Sequence, residues 1–169
     1  MLFFGEFEHA IDAKGRLAIP SEIRGALDPE KDGQSMYLTL GANRTLRLYT
    51  EKLFEKLSDQ LDQDLVTDST TAKFDELLFP MTRKVDFDTA GRVRIPEQMR
   101  KRANLGKEVI LIGVRDHLQI RDRAQWEADL EAKLQEQEEI LTEYARRRRK
   151  SAASSSSSSQ SNDADGEDE

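Results

Sequence analysis

No cysteine occurs in the 169 residues, which excludes a disulfide framework and a thiolate zinc site. Histidine is nearly as scarce, with only His9 and His117. A nucleophile–base pair would have to be built on one of those two, and both fall on or beside segments that read as strands. Glycine-rich phosphate loops and His-x-x-x-His are also missing, and no Asp-x-Asp pair belongs to a complete calcium loop. The residues therefore point to no catalytic site, metal site or cofactor, and no small-molecule substrate is expected. No apolar stretch approaches the ~18 residues that span a bilayer. The opening residues Met1 to Glu6 have no basic region before an apolar run, so no signal peptide is expected. A soluble cytoplasmic protein is the expectation that follows.

Apolar residues are few as well, at 37%, with a mean hydropathy of -0.72. Much of that deficit sits at the C-terminus, where serines run from Ser154 to Ser159 and Asp163, Asp165, Glu167, Asp168 and Glu169 follow. Such a segment has too little apolar surface to offset its ordering entropy, so residues 151–169 are expected to be a disordered Ser/acidic tail. The tail also skews the net charge of -7: residues 1–150 hold 26 bases against 28 acids. Residues 83–102 hold seven bases against three acids, whereas residues 51–79 hold eight acids against three bases. Charges are screened beyond roughly 8 Å at physiological salt, so a local basic field can act on DNA although the whole chain is acidic.

The chain repeats itself. Residues Asp12, Gly15, Arg16, Ile19, Pro20 and Arg24 return as Asp88, Gly91, Arg92, Ile95, Pro96 and Arg100, a shift of 76. Further on, Tyr37 to Gly41 match Val109 to Gly113, and Leu46 to Leu48 match Leu118 to Ile120, at a shift of 72. The turn-rich insertion from Asp28 to Gly33 in the first copy absorbs the difference. Two copies are too few for a solenoid and suit one domain whose halves complete each other's core.

Each copy reads the same way. His9 and Ile11, then Leu17 and Ile19, alternate with polar residues, as do Val85 and Phe87, then Val93 and Ile95; this is period-two strand patterning. Between the strands sits Asp-x-x-Gly-Arg, where Asp opens a tight turn and Gly supplies positive φ, predicting a short hairpin with a bulge. Pro20 and Pro96 end the second strand and open short helices over 21–27 and 97–103. Two further strands follow in each copy, over 36–40 and 46–49, and over 109–114 and 118–121. The fold class is thus mixed β/α: a pseudo-twofold small β-barrel from two β-β-α-β-β units, with flanking amphipathic helices and the tail. The domain reading is 1–50 first unit, 51–81 helical connector, 82–122 second unit, 123–150 C-terminal helix and 151–169 tail. In that last helix Trp126, Leu130, Leu134, Gln137, Leu141 and Tyr144 recur every three or four residues, a stripe for packing on the barrel or against another subunit.

The doubled Asp-x-x-Gly-Arg-(Leu/Val)-x-Ile-Pro pattern is similar to the AbrB-type swapped-hairpin DNA-binding module. Two copies in one chain, with an opening Phe-Phe-Gly-Glu-Phe-Glu-His, resemble the MraZ family over roughly residues 1–145. That resemblance implies a nucleoid-associated transcriptional regulator of the division and cell-wall gene cluster. It also implies a ring-like homo-oligomer that binds double-stranded DNA at short G-rich direct repeats upstream of its own operon. The DNA-binding residues it suggests are Lys14, Gly15, Arg16, Arg92 and Arg94, with Asp12 and Asp88 orienting the arginines. Planar guanidinium groups fork onto phosphate or a guanine edge in a way Lys cannot reproduce. Arg24 and Arg100 read as helix-surface residues in ion pairs, and Arg146 to Lys150 as a basic run suited to a helix C-terminus or to DNA attraction. The competing reading is a non-catalytic oligomeric assembly or partner-binding protein that uses the same barrel, with each Asp/Arg pair serving only to close its turn.

Overall fold

The computed structural model describes residues 2–61 and 69–157. The first half runs β1 (Glu6–Ala10), β2 (Arg16–Ala18), α1 (Ser21–Ala26), β3 (Ser35–Leu40) and β4 (Leu46–Thr50). Two connecting helices follow, α2 (Glu51–Asp59) and α3 (Ser69–Leu78). The second half repeats the order with β5 (Arg83–Asp86), β6 (Arg92–Arg94), α4 (Glu97–Arg102), β7 (Glu108–Val114) and β8 (His117–Asp122). Proline in extended backbone precedes α1 and α4 alike, with Pro20 and Pro96 at their N-caps. Each of these short helices buries one side chain, Ile23 or Met99.

Every ladder is antiparallel. Six strands form one sheet in the order β1-β7-β8-β4-β3-β5, and β2 pairs with β6 in a separate ribbon. Exchanging the first four strands for the last four leaves both orders unchanged. The registers place the centre of that exchange: Leu17 lies opposite Val93, its equivalent at the shift of 76, and Arg47 lies opposite Gln119, its equivalent at 72. The ladders do not close into one barrel, because β1 and β5 are left as sheet edges.

The expected hairpins are only partly hairpins. The turn closes, with Gly15 N donating to the Asp12 carbonyl and Asp12 N to the Arg16 carbonyl, and the second turn repeats this between Gly91, Asp88 and Arg92. Beyond the turn the strands part: β1 leaves for β7 of the other half, and β2 for β6. The residue in left-handed conformation at each turn, Gly15 at φ 76 and Gly91 at φ 73, is the bulge that turns the strands apart. Each half thereby lends its first strand to the other.

One core fills the space between sheet and ribbon. Leu17 and Val93 from the ribbon and Leu38, Leu46, Leu48, Leu111, Leu118 and Ile120 from the sheet are fully buried. At roughly 1.5–3 kcal/mol per buried aliphatic side chain, this cluster dominates the stability of the domain. Residues up to Trp126 form this unit, and those from Glu127 onward form a second, helical one. The expected single C-terminal helix is two, α5 (Arg123–Gln135) and α6 (Gln137–Ser157), and α6 passes the expected end at 150. Within the second unit Leu134, Ile140, Leu141 and Tyr144 are exposed. The remaining part of the expected disordered tail, 158–169, lies outside the described residues. No described helix is long and apolar enough to cross a membrane.

Candidate nucleic-acid interface

The ribbon β2/β6 has two faces of opposite character because side chains alternate along a strand. Leu17 and Val93 point into the core with no exposure. Arg16, Ala18, Arg92 and Arg94 take the other face, with Arg16 opposite Arg94 and Ala18 opposite Arg92. The ribbon is tied at both ends across the halves, since Ile95 N donates to the Gly15 carbonyl (2.8 Å) and Ile19 N to the Gly91 carbonyl (3.1 Å). Three arginines thus stand on a short, rigid, two-stranded platform.

Each turn aspartate holds its turn and its arginine together. Asp12 Oδ1 accepts from the backbone N–H groups of Lys14 and Arg16, both at 2.9 Å, while Oδ2 accepts from Arg16 Nε at 2.7 Å. Asp88 does the same with Ala90 N and Arg92 N at 3.0 Å and Arg92 Nε at 2.9 Å. The two pairs also meet across the centre, Arg16 Nη1 to Asp88 Oδ2 at 3.9 Å and Arg92 Nη1 to Asp12 Oδ2 at 4.0 Å. These four side chains are each about one-third exposed, between 31% and 34%. A carboxylate that clamps the Nε side of a guanidinium fixes its plane and leaves its remaining N–H groups to contact an anion.

Backbone donation to Asp12, led by Arg16 N, and the Arg92 guanidinium beside Asp88 hold both carboxyls below the usual aspartate range. A depressed carboxyl contributes stability in full above its unfolded pKa and loses it as pH falls through the folded value. The urea midpoint is therefore expected to fall as pH drops from about 5 to about 2. A double Asp12→Asn, Asp88→Asn variant should show less of that fall. An acid limb as steep in the variant as in the parent would separate these two groups from acid lability.

Two further arginines belong to the turns. Arg24 and Arg100 are not the helix-surface ion pairs expected from their positions on α1 and α4. Arg24 Nε donates to the Ile19 carbonyl at 3.0 Å, and its guanidinium lies where a Cβ on Gly91 would be, 2.4 Å away. Arg100 lies less tightly on Gly15, with Nη2 3.3 Å from where a Cβ would be and its Nε buried without a hydrogen-bond partner. Glycine is favoured at both turns by its positive φ, and at Gly91 also by the arginine seated on it. The repeat made these pairs findable, because Gly15/Arg100 and Gly91/Arg24 are equivalent across the two copies.

The halves differ in charge at one end of the ribbon. Lys14, at the tip of the first turn, corresponds to Ala90 in the second, and Arg94 corresponds to Ala18. Lys14 and Arg94 are exposed, and both line one cleft together with Arg83, Lys84 and Arg100. Asp86 and Glu97 are the acids in that cleft. Lys84 is engaged with Glu51, which also accepts from the backbone of Gln34 and Ser35. The unmatched cations therefore gather beside the first turn, although Arg94 comes from the second copy. Of the two histidines, His9 sits part-buried on β1, where desolvation lowers its pKa. His117 is buried against Tyr49 and pairs with Asp116 at 2.7 Å.

A family model described as "MraZ protein, putative antitoxin-like" matches residues 2–76 and again 78–150. The chain is similar to the transcriptional regulator MraZ of Acetivibrio thermocellus, 34% identical over 127 residues that cover 75% of this chain and 85% of the relative. It is also 35% identical to the protein of that name from Pediococcus pentosaceus over 130 residues, 77% of this chain and 87% of the other. The one from Alkaliphilus metalliredigens is 36% identical over 125 residues, 74% and 84% of the two chains.

Proposed function

Since this chain belongs to the MraZ family, we propose that it is a DNA-binding transcriptional regulator that reads duplex DNA with the outer face of the β2/β6 ribbon. One observation carries the reading: Arg16, Arg92 and Arg94 share that face, with Lys14 beside them, over a buried Leu17–Val93 base. A two-stranded ribbon fits the major groove, where arginine forks onto guanine O6 and N7. Asp12 and Asp88 orient Arg16 and Arg92 for that contact, and Gly15, at φ 76, shapes the first turn that carries Lys14 and Arg16. Sheet and ribbon, packed on one core and related by the pseudo-twofold exchange of the two halves, present this face.

Four cations support only weak binding at physiological salt. A ring-like homo-oligomer that offers several ribbons to short, G-rich direct repeats would gain about 10²–10⁴ in avidity. Its target is the stretch upstream of its own operon in the division and cell-wall cluster, and its place in the cell is the nucleoid. The test is fluorescence anisotropy on a duplex carrying the sequence upstream of this gene, against a shuffled duplex of equal length, with light scattering on the same samples. Saturable preference for the native duplex by an oligomer is the expected result. Equal binding of both duplexes would leave the arginines as turn-closing residues of an assembly protein, a reading that the Asp12–Arg16 and Asp88–Arg92 pairs themselves favour.

A further inference from the structure

The β3–β4 turn opens onto a cavity of about 870 Å³ that the DNA reading does not use. Its walls are apolar, with Tyr49, Phe54 and Leu57 on one side and Phe74, Leu77 and Phe79 on the other. Among the described residues that line it there is no Asp or Glu, yet Arg44 and Arg47 both border it. Arg47 Nε is buried with no hydrogen-bond partner. Room for this guanidinium exists because residue 41 is glycine: a Cβ there would lie 2.5 Å from Arg47 Nε. Arg44 sits in the left-handed region at φ 56, a conformation that costs a non-glycine residue energy and tends to mark functional turns.

The internal repeat shows why the space is open. Leu78 and Phe79 are the equivalents of Leu2 and Phe3 at the shift of 76. In the other half Phe3 is 3% exposed and bridges to Arg115, and the backbone of Phe4 fills the space beside Gly113, the equivalent of Gly41. Phe79 instead stands 41% exposed in a 3-10 turn at the cavity wall. The equivalent of Arg47 is Gln119, so the covered half carries an amide where the open half carries a cation.

We propose that this cavity binds a small amphipathic carboxylate, with its head group on Arg47 and Arg44 and its aliphatic or aryl tail among Phe54, Phe74 and Leu77. The volume lies in the range of small-molecule sites, which are mostly apolar with a few placed polar groups. A guanidinium Nε buried without a partner is costly, and a carboxylate is the planar acceptor that fits a guanidinium. Large apolar side chains left exposed around one concavity mark a binding surface.

The experiment is calorimetric titration of the full-length chain with decanoate, and with decanol as the uncharged probe of equal chain length. Decanoate is expected to bind at least tenfold more tightly than decanol. Arg47→Gln is expected to weaken decanoate at least tenfold and leave decanol unchanged; glutamine is the residue the fold already accepts at position 119. The comparison of decanoate with decanol on the unaltered chain decides the matter if that variant does not fold. No binding, equal binding of the two probes, or an Arg47→Gln variant that binds decanoate as the parent does would overturn the proposal. So would dissociation of the oligomer by Leu77→Glu together with decanoate binding only to the dissociated chain, which would make the cavity a contact between copies.

Discussion

A chain cut to residues 1–81 is expected to lose its fold as a monomer. Of the ladders made by its strands it keeps only β3 with β4; those of β1 with β7, β2 with β6, β4 with β8 and β3 with β5 all lose a partner. A lone two-stranded hairpin is marginal in water. Leu17, Ile19 and Leu48, fully or almost fully buried in the intact chain, would face solvent. At roughly 1.5–3 kcal/mol each, exposing these and their neighbours exceeds the 5–15 kcal/mol by which a domain of this size is stable. Circular dichroism and urea titration at low concentration should show no cooperative transition. Folding that appears only as concentration rises would express the same exchange of strands between two copies. A cooperatively folded monomer of 1–81 is the outcome that refutes strand exchange as the basis of the fold.

Replacing Arg16, Arg92 and Arg94 together by alanine is expected to weaken binding to the upstream duplex on the order of a hundredfold or more. A bidentate arginine–guanine contact contributes about 1–3 kcal/mol of discrimination, and each phosphate contact adds about 0.9 to the slope of log affinity against log salt. Arg94→Ala alone should cost less and flatten that slope by about one, because it leaves the Asp12–Arg16–Asp88–Arg92 cluster intact. Arg→Lys at all three positions separates the two kinds of contact: phosphate binding would survive in large part, and preference for guanine would not. Oligomer size and thermal midpoint, read on the same variants, tell readout from packing. If affinity fell only where the assembly also fell apart, the arginines would be structural.

Much of the architecture is written in the residue pattern itself. The Asp-x-x-Gly-Arg repeat dictates both turns, because only glycine takes positive φ there without cost and only a short acceptor reaches the following N–H groups. Alternation along Leu17–Ile19 and Val93–Ile95 fixes which face of each strand is buried, and Pro20 and Pro96 fix where the strands give way to helices. Local periodicity and turn chemistry are enough for these features. The same repeat also exposes the equivalence of the turn glycines and the arginines of α1 and α4. Their contact stays hidden, since it joins Gly15 to Arg100 and Gly91 to Arg24 across the centre of the molecule.

What local pattern cannot choose is a partner. Hydrogen-bonding groups on β1 are the same whether it pairs with β2 or with β7, and only the shared core, with Leu17 against Val93, selects the exchange. The sequence likewise leaves open whether charge collects at the first turn or the second. Tertiary pairing sets Arg94 of the second copy opposite Arg16 of the first, so Lys14, Arg16 and Arg94 become one patch although about 80 residues separate them. The open cavity over Gly41 is decided at the same level: Phe3 and Phe79 are the same residue in the two repeats, and their different burial depends on what each half packs against.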